Sequence, residues 1–358
     1  MRTLLNRKPW LWWILGGVLV VFAAILPLLN LSVPGVLPGA TYTPGTLQVL
    51  ALALLFSSLA LSYHLLFGTA GMLSFGHALY FAIGAYGLGI VLERTELTLV
   101  PAMGLVLAIA IVAAYLIGSL SLRVAGISFA MVTLAFAQAG NVLVRRNPSI
   151  TGGEEGLRLQ TEHVPDFLVG VLNTRNLYWL ALALLVVVFV VVTVFESSRA
   201  GHVAAAVREN ELRVRVLGLR PFVVKLVAFV IASALAAIVG MVHLLLQSGA
   251  APRSTTSDFT LTLLVIVVLG GVGSRWGAIV GAIVYTLLDQ RLTALASSEW
   301  IQSLPAVLRI PLSEPLFILG TLFILVVLFL PGGIAGAVRR LGPSRSSVPA
   351  RDRIEEAE

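Results

Sequence analysis

The sequence predicts an all-α fold: a polytopic membrane bundle of about ten transmembrane segments, within a range of eight to ten, with both termini on the cytoplasmic side. Three observations predict it. The 358 residues are 58% hydrophobic and only 11% charged, where soluble domains carry roughly 25% charged residues. Mean hydropathy is +0.98. Apolar runs near the length of about 20 residues that a spanning helix needs recur along the whole chain.

Those runs are 10–29, 46–67, 72–92, 98–120, 126–144, 176–195, 222–247, 259–273, 277–296 and 316–334. The first follows Arg2, Arg7 and Lys8 and opens with Trp10, Trp12 and Trp13, an interfacial aromatic belt. It reads as an uncleaved span, since no small-residue cleavage site follows. The stretches 68–76 and 270–277 are glycine-rich, so either span there is a candidate broken or re-entrant helix. With every run crossing, sixteen Arg and Lys fall inside and eight outside. That bias supports an inside N-terminus and an inside C-terminus. The loop 30–45 carries no charge, and the loop 145–175 is the longest on the outer side. Residues 1–341 read as one membrane domain and 342–358 as a disordered polar tail.

Several function classes are excluded by composition. The net charge of +7 comes from arginines flanking apolar runs; it is not the basic stripe of a nucleic-acid binder. No cysteine is present, so thiolate catalysis and disulfides are absent. His64, His77, His163, His202 and His243 are scattered, without an HExxH pair. A membrane enzyme would need a nucleophile with a base, or a metal cluster. A secondary transporter would need acids inside the spans; Asp289 and Arg291 near a span end are the nearest approach. A purely structural subunit would have no use for the charged segment described below.

Five stretches stand out. Gly68–Gly89 repeats glycine and alanine at spacings that allow close helix packing or an unwound turn lining a cavity. Within it Ser74 and His77, at i and i+3, are expected on one helix face as transport-pathway residues, with bundle hydrogen bonding as the alternative. In 123–141, Gln138 and Asn141 share a face, either as interhelical glue or as pathway lining. Thr151–Leu157, TGGEEGL, cannot be a regular helix and reads as an outer turn. Gly270–Gly281, GGVGSRWGAIVG, is a tight turn between two spans or a second partner contact.

The fifth stretch, Arg199–Gly218, is the most charged run in the chain and falls on the inside. One helix is expected over 203–217. It has Glu209 to Arg213 and Glu211 to Arg215 at i, i+4 in the favourable order, Gly218 as its C-terminal cap and Pro221 as its stop. Val203, Val207, Val214 and Leu217 form its apolar stripe. Such a helix lies either in a protein groove or on the lipid surface.

These blocks resemble the branched-chain amino acid ABC transporter permeases of the LivM type. The resemblance is carried by GxAGxLSFGHAxYFxIGAY at 68–86, RxxGISFAMVTLAFAQ at 123–138, TGGxxGL at 151–157, RENELRxxxLG at 208–218 with KLxAFVIAxALAAIxG at 225–240, and LGGVGSRWGAIVGA at 269–282. It implies one membrane subunit of an importer in the inner membrane. Its partners would be a sister permease of LivH type, two cytoplasmic ABC ATPases, a periplasmic substrate-binding protein and an amino-acid substrate, with no nucleic acid. ATP and magnesium would be bound by the ATPases, and this chain would hold no cofactor. The loop 199–221 would be the coupling loop, with Val203, Val207, Glu211, Val214, Leu217 and Gly218 meeting the ATPase. The family's Glu-Ala-Ala element is replaced here by Glu211, Leu212 and Arg213. Urea or short-amide carriage is the alternative cargo the resemblance allows, and a secondary transporter is the alternative class.

Overall fold

The computed structural model describes residues 10–32, 37–296, 315–329 and 332–340. The helices in chain order are α1 (Trp10–Ile25), α2 (Pro44–His64), α3 (His77–Arg94), α4 (Leu99–Ser121), α5 (Ile127–Arg146), α6 (Thr174–Ser197), α7 (Arg199–Glu209), α8 (Glu211–Val216), α9 (Pro221–Gln247), α10 (Ser257–Gly270), α11 (Arg275–Ala296), α12 (Pro315–Phe329) and α13 (Gly333–Arg340). The strands β1 (Leu157–Arg158) and β2 (Gly249–Ala250) form one short antiparallel pair. The basic N-terminal cluster 1–9 and the tail 342–358 lie outside the described residues.

Among the described residues, five helical stretches are long and apolar enough to cross a bilayer: Pro44–Thr69, Leu99–Ser121, Ile127–Arg146, Val171–Ser197 and Pro221–Gln247. The expected runs 259–273 and 277–296 are instead two arms of one bent pair, turning by 117° at the glycine break. The first arm, α10, has 14 residues. At 1.5 Å per residue it is about 21 Å long, short of a bilayer core of about 30 Å. Among the described residues, five or six helical units thus pass as spans by length and composition, against about ten apolar runs in the sequence. Much of the difference arises because glycine breaks divide hydrophobic sequence that a length count treats as whole.

The helix α2 is the central post, buried on nearly all sides from Ala51 onward. Three serines sit on it without cost in unpaired hydroxyls. Ser57, Ser58 and Ser62 donate to the carbonyls of Ala53, Leu54 and Leu59 at 2.7, 2.9 and 2.7 Å. Around this post α3 and α9 pack backbone to backbone. A Cβ on Gly84 would collide with the Ala237 carbonyl, and one on Gly240 with the Phe81 carbonyl. Small residues permit that approach where apolar burial alone cannot draw helices together in lipid. The buried face of α4 repeats every four residues as Ala102, Val106, Ala110, Ala114 and Gly118, against α3 and α9. Gly84→Val is expected to cost at least about 3 kcal/mol by overpacking, read as loss of monodisperse protein after detergent extraction.

The two ends of the bundle differ. One end gathers the turn after α2, the segment 196–220, the Gly271–Ser274 break and the start of α13. Glu196 bonds Arg275 there, Arg208 bonds the Gly68 carbonyl, and Gly333 packs on Gly271. The other end carries the loop 145–175, the β1–β2 pair and Gln48 bonded to Gln247 at 3.4 Å. Four of the connections expected on the inside thus gather at one end.

Candidate functional site

The charged segment 199–218 folds as two helices, in place of the single helix expected over 203–217. Ser198 caps α7 by accepting from the Gly201 amide at 3.1 Å. Asn210 leaves the helix at φ −160° and caps α8, accepting from the Arg213 amide at 2.9 Å. Asparagine competes for backbone amides this way, which makes it a cap more readily than a helix interior residue. The expected Glu209–Arg213 pair spans that break, whereas Glu211–Arg215 lies inside α8 and closes at 2.8 Å. Gly218 is left-handed at φ +79°, and the Leu219 amide reaches back to the Val214 carbonyl at 3.3 Å. That is the glycine cap expected from the sequence.

The break splits the expected valine and leucine stripe. Val207 and Val214 turn into the helix bundle itself, at 5% and 3% exposure, and Val203 is half-buried. Leu217 points the other way at 72%, in company with Leu212 at 68% and Val216 at 80%. Glu211 is used inside the chain. One oxygen takes the Lys225 ammonium at 2.5 Å and the other takes Arg215, which ties α8 to the first turns of α9. The hydrogen bond from Lys225 holds its carboxyl below the usual carboxylate range, with Arg215 adding to it. A depressed pKa contributes stability that is present at neutral pH and lost as pH falls through the depressed value. The seat of α8 is therefore expected to loosen only in acid, and Glu211→Gln should remove that acid dependence.

The glycine motif after α2 is a break. The helix ends in a five-residue π turn, Leu65–Thr69. Residues 70–76 then run without helix before α3 begins at His77. Irregular backbone at this depth requires protein partners for its amides. The Phe75 amide donates to Thr133 Oγ1 at 3.1 Å, the Gly76 amide to Ser74 Oγ at 3.2 Å, and the Ala78 amide to Thr260 Oγ1 at 3.0 Å. Ser74 and His77 consequently do not share a helix face; one is in the break and the other opens α3. Both are fully buried. His77 Nε2 lies 2.8 Å from Ser62 Oγ, and its ring meets the edge of Tyr63 at 5.3 Å. His77→Ala is expected to destabilise the fold by about 2 kcal/mol, measured as a fall in Tm. An unchanged Tm with reduced uptake would instead assign His77 to the pathway.

Gln138 and Asn141 do share a face, and reach the first residue of α10 and the turn before it. Gln138 Nε2 donates to Ser257 Oγ at 2.9 Å and Asn141 Nδ2 to Thr255 Oγ1 at 2.7 Å. They act as interhelical hydrogen bonds, each worth about 0.6 kcal/mol in such bundles. The TGGEEGL turn closes the outer end. Gly152, Gly153 and Gly156 are all left-handed. Leu157 then pairs with Ala250, and Glu154 meets Arg145 at 3.1 Å.

Two residues escaped the sequence reading. Glu196, at the end of α6, accepts from Thr69 Oγ1 at 2.6 Å and sits 3.1 Å from His64 Nε2 and 3.1 Å from Arg275 Nε. Arg275 also donates to Thr193 Oγ1 at 2.6 Å. Arg208 on α7 donates to the Gly68 carbonyl. Their partners lie 132, 127 and 140 positions away in the chain, which no local pattern reveals. A carboxylate at the end of so apolar a run was the available signal for Glu196.

The family described as branched-chain amino acid transport system / permease component matches residues 45–336. The chain belongs to this family. The LivM permease protein of Escherichia coli K12, named for high-affinity branched-chain amino acid transport, is 31% identical over 264 residues, 67% of this chain and 61% of that relative. This chain thus spans less than two thirds of that relative's length. A LivM permease protein of Methanocaldococcus jannaschii is 26% identical over 321 residues, covering 78% of this chain and 90% of the relative. The LivH permease protein of Escherichia coli K12 is 24% identical over 302 residues, covering 78% and 91%. The permease is a multi-pass membrane protein, and its relatives are transport subunits.

Proposed function

We propose that this permease is one of two membrane subunits of an ABC importer in the inner membrane, carrying branched-chain amino acids inward with energy from partner ATPases. The observation that carries the reading is the two-helix segment α7–α8. It is seated on the permease by Val207 and Val214 and presents Leu212, Val216 and Leu217 outward at the end assigned to the cytoplasm. An exposed apolar patch on a charged, well-capped pair of short helices fits a partner groove. The family membership and the likeness to both LivM and LivH proteins support a pair of related permeases. A nucleotide-bound ATPase dimer below would move α7–α8, and with it α6 and α9, which flank the segment in the chain. An external binding protein would deliver the amino acid, and no cofactor would reside in this chain. The test is leucine uptake into vesicles holding the assembled complex, the binding protein and internal ATP. Uptake that survives removal of the ATPases overturns the reading.

A further inference from the structure

We propose that the π turn Leu65–Thr69 is the element that receives the motion of α7, and that Arg208 and Glu196 are the positioning residues that hold it. This rests on the importer reading above and adds the route by which force would enter the bundle. The two residues flank α7: Glu196 lies just before its cap Ser198, and Arg208 lies on its last turn. Both reach the same five residues. Glu196 accepts from Thr69 and faces His64, while Arg208 Nη1 donates to the Gly68 carbonyl. The last turn of α7 and the α6 corner that leads into it are thus tied to one turn.

The seat of Arg208 is shaped for it. Gly71 is left-handed at φ +68°, and a Cβ there would lie 2.7 Å from Arg208 Cγ and 3.0 Å from Arg208 Cβ. A Cβ on Gly273, in the second glycine break, would lie 3.7 Å from Arg208 Nη1. One side chain therefore touches both glycine-rich breaks. The carbonyl that it takes is among those a helix end leaves without an intrahelical partner, where a cation also meets the negative end of the helix dipole. π turns recur at functional positions because their wider hydrogen bonding marks a place where a helix can change. Downstream of this one, the Phe75 amide in the break 70–76 bonds Thr133 on α5, and the Ala78 amide in the first turn of α3 bonds Thr260 on α10. A shift of the π turn would be felt by three helices at once.

The experiment uses the whole complex in proteoliposomes with binding protein and leucine as probe. Arg208→Gln is expected to lower leucine moved per ATP hydrolysed by about tenfold while hydrolysis persists, and Arg208→Lys to restore most of it, because a lysine still donates to the Gly68 carbonyl. An unchanged ratio overturns the proposal. So does a parallel loss of hydrolysis, uptake and assembled complex, which is what a helix cap with no coupling role would give. A second readout does not depend on cargo. The chain has no cysteine, so Phe67→Cys places a single thiol in the π turn, at a half-buried position outside the Arg208 and Glu196 contacts. Its rate of maleimide labelling is expected to change at least threefold between the nucleotide-free complex and the complex with a bound ATP analogue. Equal labelling rates in both states overturn the proposal. Failure of the unaltered complex to take up leucine would count against the importer reading alone, and the nucleotide dependence of the labelling would still report on the turn.

Discussion

Val216→Asp with Leu217→Asp is expected to abolish association with the ATPases while leaving the permease folded. The two side chains are 80% and 72% exposed, on and just after the last turn of α8, and Leu212 lies on its first turn at 68%. None of them supports the fold. Val207 and Val214 do that from the other face, and Glu211 fixes the base through Lys225 and Arg215. Apolar residues that anchor an interface cost about 1 kcal/mol or more each when removed, so two together correspond to a loss of affinity of roughly thirtyfold. An aspartate adds the cost of burying a charge without a partner. The measurement is co-purification of the ATPases with the double variant, alongside its melting temperature. Intact Tm with lost ATPase is the expected result. Undiminished co-purification would assign the patch to the lipid surface, where Arg213 and Arg215 would meet headgroups.

Glu211→Lys acts differently. It sets a third cation beside Lys225 and Arg215, so docking is weakened by unseating α8 rather than by losing a contact. The contrast separates the two kinds of residue that the sequence placed together as partner contacts. Spacing was enough to show that residues 203–217 are helical, amphipathic and closed by Gly218. It was not enough to find the break, because one continuous helix would put Val203, Val207, Val214 and Leu217 in a single stripe. Asn210 was the local sign: an amide side chain followed by Glu211 is a good cap and a poor helix interior. The same holds at Ser74 and His77. Their i, i+3 spacing has meaning only on a helix, and α3 starts at the second of the two. Gln138 and Asn141, within the unbroken α5, kept their shared face. Hydrophobic length and periodicity report continuous helices well. They report breaks poorly, because a break is decided by which distant side chains satisfy the freed amides, here Thr133 and Thr260.

Glu196→Ala is expected to cost about 1.5–3 kcal/mol, the range for hydrogen bonds to a charged group, since the pair with Arg275 is only partly buried. The carboxylate is the only acid among the groups it joins: the Arg275 guanidinium, the His64 imidazole and the Thr69 hydroxyl. Its side chain is 20% exposed and that of His64 is 2% exposed. Its removal leaves a guanidinium near the bundle end with Thr193 and the face of Phe189, 5.8 Å away, as what remains. It also leaves the corner before α7 without its tie to the π turn. Glu196→Gln separates charge from geometry. The amide oxygen still accepts from Thr69, so the corner keeps its shape, but Arg275 loses its counter-charge. The glutamine variant is expected to lose about half of what the alanine variant loses, because hydrogen bonds to a charged group are worth roughly twice neutral ones. Thermal melting of the purified permease in detergent, wild type against both variants, reads the order. Equal melting temperatures for all three would mean that the turn 195–201 is held by Ser198 and Gly201 alone. The compact cap at Ser198, with Gly201 pressed against the Phe195 carbonyl, would then carry the corner.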